Sequence, residues 1–104
     1  MPEREPALDD LSTVRVRRPA DVMLREFPEE LVVLHLGTGR YHGLNRSAGG
    51  ILEALFEAPT AAAAAEALAA RYGRPAGEME AVVRDFCRDL AARDLVEIDD
   101  VAAG

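Results

Sequence analysis

The sequence predicts an α+β domain: a three-stranded antiparallel sheet followed by three helices. Two patterns carry that expectation. Between Asp21 and Leu44, short β-branched and leucine-rich runs alternate with turn residues. From Asn45 onward the apolar spacing switches from two to 3.6. With 104 residues the chain holds one core and is too short for two.

Val22–Phe27 is the first expected strand, and Pro28-Glu29-Glu30 turns the chain. Leu31–Leu36 is the second, a nearly continuous apolar run. Gly37-Thr38-Gly39 supplies the positive φ angles of a tight hairpin, and Arg40–Leu44 returns antiparallel as the third strand. Asn45 is the natural N-cap of the first helix, with Ser47 as the alternative. Its stripe is Ala48, Ile51, Leu52, Leu55 and Phe56. Gly49 and Gly50 each cost roughly 1 kcal/mol there relative to alanine, and their expected use is close approach of the sheet. Pro59 ends that helix. Thr60 caps a second, alanine-rich one that runs to Tyr72 and is closed by Gly73; with mostly methyl groups plus Leu68 on its apolar face, it is the least firmly packed element. The third helix runs from about Gly77 to Ala92, with Met79, Val83, Phe86 and Leu90 as its stripe and Val82 and Cys87 on the shoulders.

Around this domain (residues 14–98), Met1–Thr13 reads as a disordered acidic tail, and Val14–Arg18 as a short basic stretch ended by Pro19. Leu95–Ile98 extends as a short strand or covers the core, and residues 99–104 form a C-terminal tail.

Composition narrows the function. The formal charge is −7, from 12 basic and 19 acidic residues, and this disfavours a nucleic-acid partner, whose phosphates require clustered cations. No apolar stretch approaches 18 residues and the N-terminus is acidic, so neither a membrane partner nor a secretory signal is expected. The single cysteine forms no internal bridge, which places the chain in a reducing cytoplasm.

Catalytic signatures are missing. His35, His42 and Cys87 form no nucleophile elbow, CxxC pair or HExxH motif, and three such residues fall short of a metal site. No catalytic residue, metal or cofactor is expected, and the chain reads as a non-enzyme. A winged-helix regulator of DNA is the competing reading, but the third helix sets Arg84, Arg88 and Arg93 against Glu78, Glu80, Asp85, Asp89 and Asp94. The cluster Arg15, Arg17, Arg18 and Arg25 reads either as a solvated edge or as a patch for a partner's carboxylates.

The third strand is the informative feature. It has one paired and one open side, with Arg40, His42 and Leu44 on one face and Tyr41 and Gly43 on the other. Neither proline nor lysine blunts the open side, as edges usually require. An open edge beside a helix suits strand addition by an extended peptide.

The run "LVVLHLGTGRYHGLN" into "RSAGGILEAL", then "ALAARYG" and "EMEAVVRDFCRDLAARDLVE", resembles the PqqD-like family of peptide-recognition elements from ribosomal natural-product biosynthesis. The resemblance implies a winged-helix-like packing of three strands and three helices. It also implies that the leader of a precursor peptide is held as an added strand between the third strand and third helix, and presented to a partner processing enzyme. Carried over by position, the leader-binding residues are Arg40, Tyr41, His42, Gly43 and Leu44 on the strand, and Val83, Arg84, Cys87 and Arg88 on the helix. "TGRYHGLN" resembles the lasso-peptide members, whose partner is a leader peptidase, more than those serving radical enzymes in pyrroloquinoline quinone or mycofactocin-like pathways. Ala61 and Ala64 stand where the family has larger aliphatics, and His42 where an aromatic or leucine is common.

Overall fold

The computed structural model describes residues 8–101. The elements in chain order are a 3-10 turn (Leu11–Thr13), β1 (Val14–Arg17), β2 (Val22–Glu26), β3 (Glu30–His35), β4 (Arg40–Asn45), α1 (Arg46–Glu57), α2 (Ala61–Tyr72), α3 (Ala76–Ala92) and β5 (Glu97–Asp100). The expected three-stranded antiparallel sheet is β2-β3-β4, and the three helices follow it.

Local chemistry sets the boundaries. Phe27 N donates to Glu30 O across the Pro28-Glu29 turn at 2.8 Å. In the second hairpin only Gly39 takes a positive φ, at 74°. Asn45, not Ser47, caps α1, its side chain accepting from Ala48 N at 2.8 Å. Thr60 caps α2 by accepting from Ala63 N at 3.1 Å, and Gly73 closes it in the left-handed conformation at φ 64°. The two glycines of α1 differ in use. A Cβ on Gly49 would lie 3.0 Å from Leu31 Cβ, so this glycine does let helix and sheet approach. Gly50 instead faces α2, where its Cβ would meet the Tyr72 hydroxyl at 3.3 Å.

Helix α1 packs on β3 and β4, α2 packs on α1 and β1, and α3 packs on α2. The core joins Val22, Leu31 and Val33 to Leu52, Leu55, Leu68, Met79, Val83, Cys87 and Leu90. On α2 the buried positions are Ala61, Ala64, Ala65, Leu68 and Ala69, so methyl groups do fill most of that contact.

Two expectations about the chain ends are corrected. Residues 1–7 of the expected N-terminal tail lie outside the described residues, but the remainder packs: Leu8 is 2% and Leu11 3% exposed. Asp10 caps the 3-10 turn by accepting from Ser12 N and Oγ, which also hold its carboxyl below the usual aspartate range. The basic stretch after it is a strand, with Val14 and Val16 buried and Arg15 and Arg17 outside. β1 pairs antiparallel with β5 in a second sheet, Val16 opposite Ile98 and Arg17 opposite Glu97. Leu95 and Val96 cover the core and the strand continues to Asp100, into the expected C-terminal tail; residues 102–104 lie outside the description. Tail and core cannot be told apart in such short segments, because two buried residues define no period.

Candidate functional site

The site is built on main-chain groups. At the two ends of the β2–β3 pair, Phe27 N donates to Glu30 O and Leu36 N to Asp21 O, at 2.8 and 2.7 Å. Bonding direction alternates along an antiparallel strand, so Glu30, Val32, Leu34 and Leu36 bond toward β2. Leu31, Val33 and His35 therefore bond toward β4, where the register gives them Leu44, His42 and Arg40. What remains on β4, before Asn45 turns into α1 as its cap, is Tyr41 and Gly43. Their N–H and C=O groups point to the outer side, where no further strand pairs among the described residues.

The other margin of the sheet is partly closed. Val22 N donates to Pro19 O at 3.1 Å, and Arg18 Nη1 donates to Val22 O. Those bonds occupy the outward groups of β2 at its start, so β4 is the more open edge.

Side chains on β4 alternate as the sequence predicts. His42 and Leu44 are half-buried on the core side, opposite buried Val33 and Leu31; Tyr41 is 73% exposed on the far side. Glu30 lies over Gly43, with Oε2 2.8 Å from where a Cβ would stand. Arg40 is exposed at the start of the strand.

Helix α3 is placed relative to β4 by a cleft at each end. One, of about 360 Å³, is lined by Ser47 and Ile51 of α1, by Tyr72 and Arg74, and by Met79 and Val82 of α3. Ser47 is the second residue after the end of β4. The other, of about 270 Å³, brings Asp94, Val96 and Glu97 beside Asp21 and His35, and His35 is the register partner of Arg40. The start of α3 thus lies toward the end of β4, and the end of α3 toward its start.

The helix residues expected from sequence are placed differently. Val83 and Cys87 are fully buried in the core, and burial pushes the Cys87 thiol up to about 11. Arg84 Nε donates to Leu8 O at 2.8 Å, so its flank of α3 faces the N-terminal segment; Arg88 pairs with Asp85 at 3.4 Å. None of these four lines the cleft at the start of the helix. Val82 does, at 41% exposure, and partly buried Phe86 one turn on shares its flank. The available signal was Val82 itself, an apolar side chain on the shoulder opposite Cys87.

Two of the four arginines in the basic cluster are engaged. Arg17 pairs with Glu97 at 3.0 Å and also with Asp99, contacts that raise its pKa, and Arg18 holds the Val22 carbonyl. Arg15, Arg17 and Arg18 border a cleft of about 430 Å³ with Leu24, Phe56, Glu53 and Glu57. On α3 the arginines are likewise occupied, Arg93 pairing with Asp89 at 3.6 Å, which leaves little for a DNA phosphate. Among the described residues no cluster of His, Cys, Asp or Glu could hold a metal ion, and no helix is long and apolar enough to cross a membrane.

The family model for coenzyme PQQ synthesis protein D (PqqD) matches residues 30–96. The chain belongs to the PqqD family. That match runs from β3 to the residue before β5, so it holds β4, α3 and the cleft of Ile51, Met79 and Val82. Among solved structures, "TbiB1 in Complex with the TbiA(beta) Leader Peptide" is 32% identical, with a TM-score of 0.72 over 78% of this chain and 94% of that one. "Lasso peptide synthetase B1 complexed with the leader peptide" has the same TM-score at 19% identity, covering 80% and 98%. No curated protein sequence matches. This PqqD-family chain therefore shares its fold with both.

Proposed function

We propose that this PqqD-family protein is a non-catalytic carrier that binds the leader of a ribosomal precursor peptide along β4 and delivers it to a processing enzyme, a leader peptidase of a lasso-peptide pathway. The observation that carries the reading is the pair of outward-facing residues Tyr41 and Gly43, an edge unpaired among the described residues on a strand that leads into α1, whose Ser47 and Ile51 line an apolar cleft with Met79 and Val82. The TbiB1 complex supports the leader as the ligand, since that relative holds one. The buried Cys87, its thiol held protonated by burial, agrees with a carrier role.

The leader adds a fourth strand. Tyr41 and Gly43 each offer one donor and one acceptor, and each resulting hydrogen bond is worth roughly 1 kcal/mol net. An apolar leader side chain lodged against Val82 and Ile51 adds about 1.5–3 kcal/mol. Ordering a flexible segment takes back several kcal/mol, so two or three anchors are needed for micromolar or tighter binding. The strand residues Arg40–Leu44 stay in the site. On α3 the proposal moves it from Val83, Arg84, Cys87 and Arg88 to Val82 and Phe86. Chemistry belongs to the enzyme, and tethering raises the local substrate concentration it meets.

Amide hydrogen exchange with a synthetic leader peptide tests this. The Tyr41 and Gly43 amides should exchange fast in the free protein and become protected in the complex, while His42 is protected in both. Tight binding with Tyr41 and Gly43 still exchanging freely would move the site away from β4.

A further inference from the structure

Glu30 opens β3, and its main-chain carbonyl accepts from Phe27 N, so the hairpin does not depend on its side chain. That side chain is exposed, on the opposite side of the strand from buried Leu31 and Val33. Two cations lie within its reach. The register makes Arg25 a diagonal neighbour, and Arg46 lines the same cleft of about 500 Å³ as Glu30, together with Glu26 and Glu53. Neither arginine forms an ion pair with Glu30.

The Glu30 carboxylate lies instead over Gly43, with Oε2 2.8 Å and Cδ 3.7 Å from where a Cβ would stand. Any other residue at 43 would fill that space, so the glycine lets a side chain of β3 reach across β4 toward the open edge. Tyr41, two residues away on the same face, adds an exposed ring. A strand added beside β4 sets its side chain nearest Gly43 on this face, with Cβ about 5 Å away and Tyr41 as a diagonal neighbour. A lysine or arginine there gains a charge-assisted hydrogen bond from Glu30 and the face of an aromatic ring. An aspartate or glutamate meets a carboxylate that no cation neutralises. An apolar side chain strips water from that carboxylate and returns nothing.

We infer that Glu30, reaching over Gly43, is a specificity-determining residue that selects leaders carrying a lysine or arginine at the position beside Gly43. The inference rests on leader binding at β4. Main-chain pairing supplies affinity without reading sequence, and side chains supply the choice. The same contact fixes register. A slip of one residue turns the leader's cation to the other face of the sheet, out of reach of Glu30.

Binding of a fluorescently labelled synthetic leader to wild type, Glu30→Gln, Glu30→Lys and Glu29→Gln provides the test. Glu29 is exposed in the adjoining turn, so its neutralisation changes net charge equally without touching the edge. Glu30→Gln should weaken binding about three- to fivefold, the size of one exposed ion pair. Glu30→Lys should weaken it at least about tenfold, since it sets like charges together. Glu29→Gln should stay within about 1.5-fold at physiological salt, where distant charges are screened. Leaders in which each lysine or arginine is exchanged in turn for glutamate should then include one that wild type binds poorly and Glu30→Lys binds well. Equal losses in Glu29→Gln and Glu30→Gln would reduce the effect to net charge and overturn the inference. Unchanged affinity in Glu30→Lys overturns it too, as does a leader set with no position that Glu30→Lys rescues. Failure of the leader itself to bind wild type would instead refute the carrier reading.

Discussion

Arg84 of α3 is tied to Leu8, its Nε donating to the Leu8 carbonyl at 2.8 Å, with a longer contact from Nη2 to Asp9 O at 3.5 Å. Leu8 itself is buried beneath that contact. A helix residue that sequence places in the peptide site thus anchors the N-terminal segment across 76 positions of sequence.

This relationship sets the first prediction. Arg84→Ala should cost about 1.5–3 kcal/mol of stability, the range for a hydrogen bond to a charged group. Leu8→Ala, which opens a cavity, should cost about 2–5 kcal/mol. Leader affinity of the folded fraction should not change in either. A tenfold loss of affinity in stable Arg84→Ala protein would return Arg84 to the binding site.

Proline substitution separates the two kinds of position on β4. His42→Pro removes a donor that bonds Val33 and leaves its buried carbonyl unsatisfied, at about 1–3 kcal/mol. Tyr41→Pro and Gly43→Pro remove outward donors, so their urea midpoints should stay near wild type. Each of these two should weaken leader binding about tenfold, the equivalent of roughly 1.4 kcal/mol. The Glu30 carboxylate beside Gly43 is the far end of a flexible side chain and can swing aside. Normal leader affinity in both edge variants would exclude strand addition.

The adjacent glycines of α1 should respond in opposite directions. Gly49→Val drives branched carbons against Leu31 Cβ and should destabilise by about 1–3 kcal/mol through overpacking. Gly50→Ala meets the Tyr72 hydroxyl at 3.3 Å, on a side chain exposed enough to shift, and Arg71 Nη1 at an ordinary 3.7 Å, and gains up to about 1 kcal/mol of helix propensity. Thermal melting checks both: a rise of about 4–8 °C corresponds to 1 kcal/mol in a domain of this size.

Cys87 gives a pH prediction. Its pKa is raised by burial to about 11, from an ordinary thiol value near 9.0. The folded state therefore favours the neutral thiol. That contribution is fully present below pH 9 and is lost as pH rises toward 11, so urea stability should fall across that window. Cys87→Ser, which titrates nothing there, should flatten that part of the profile. Alkylation of native protein at pH 8 should be slow and should accelerate on unfolding; fast native labelling would show that Cys87 is not the buried residue described.

The sequence by itself determined the order of strands and helices, the caps at Asn45 and Thr60, the alternation of side chains on β4 and the family. All of these follow from local rules of spacing, turn chemistry and capping, acting over a few residues. Only the tertiary structure decided which β4 residues turn their main chain outward. That parity is fixed by the bonds Phe27 N to Glu30 O and Leu36 N to Asp21 O on the far side of β3. The β1–β5 pair also needed it, because four residues near one end and four near the other become a sheet only when folding brings them together. The flank of α3 that is left open to solvent was decided in the same way. A helical wheel puts Val82 and Cys87 symmetrically on the shoulders of one stripe, and folding breaks that symmetry by burying Cys87 in the core and leaving Val82 at the rim of an open cleft.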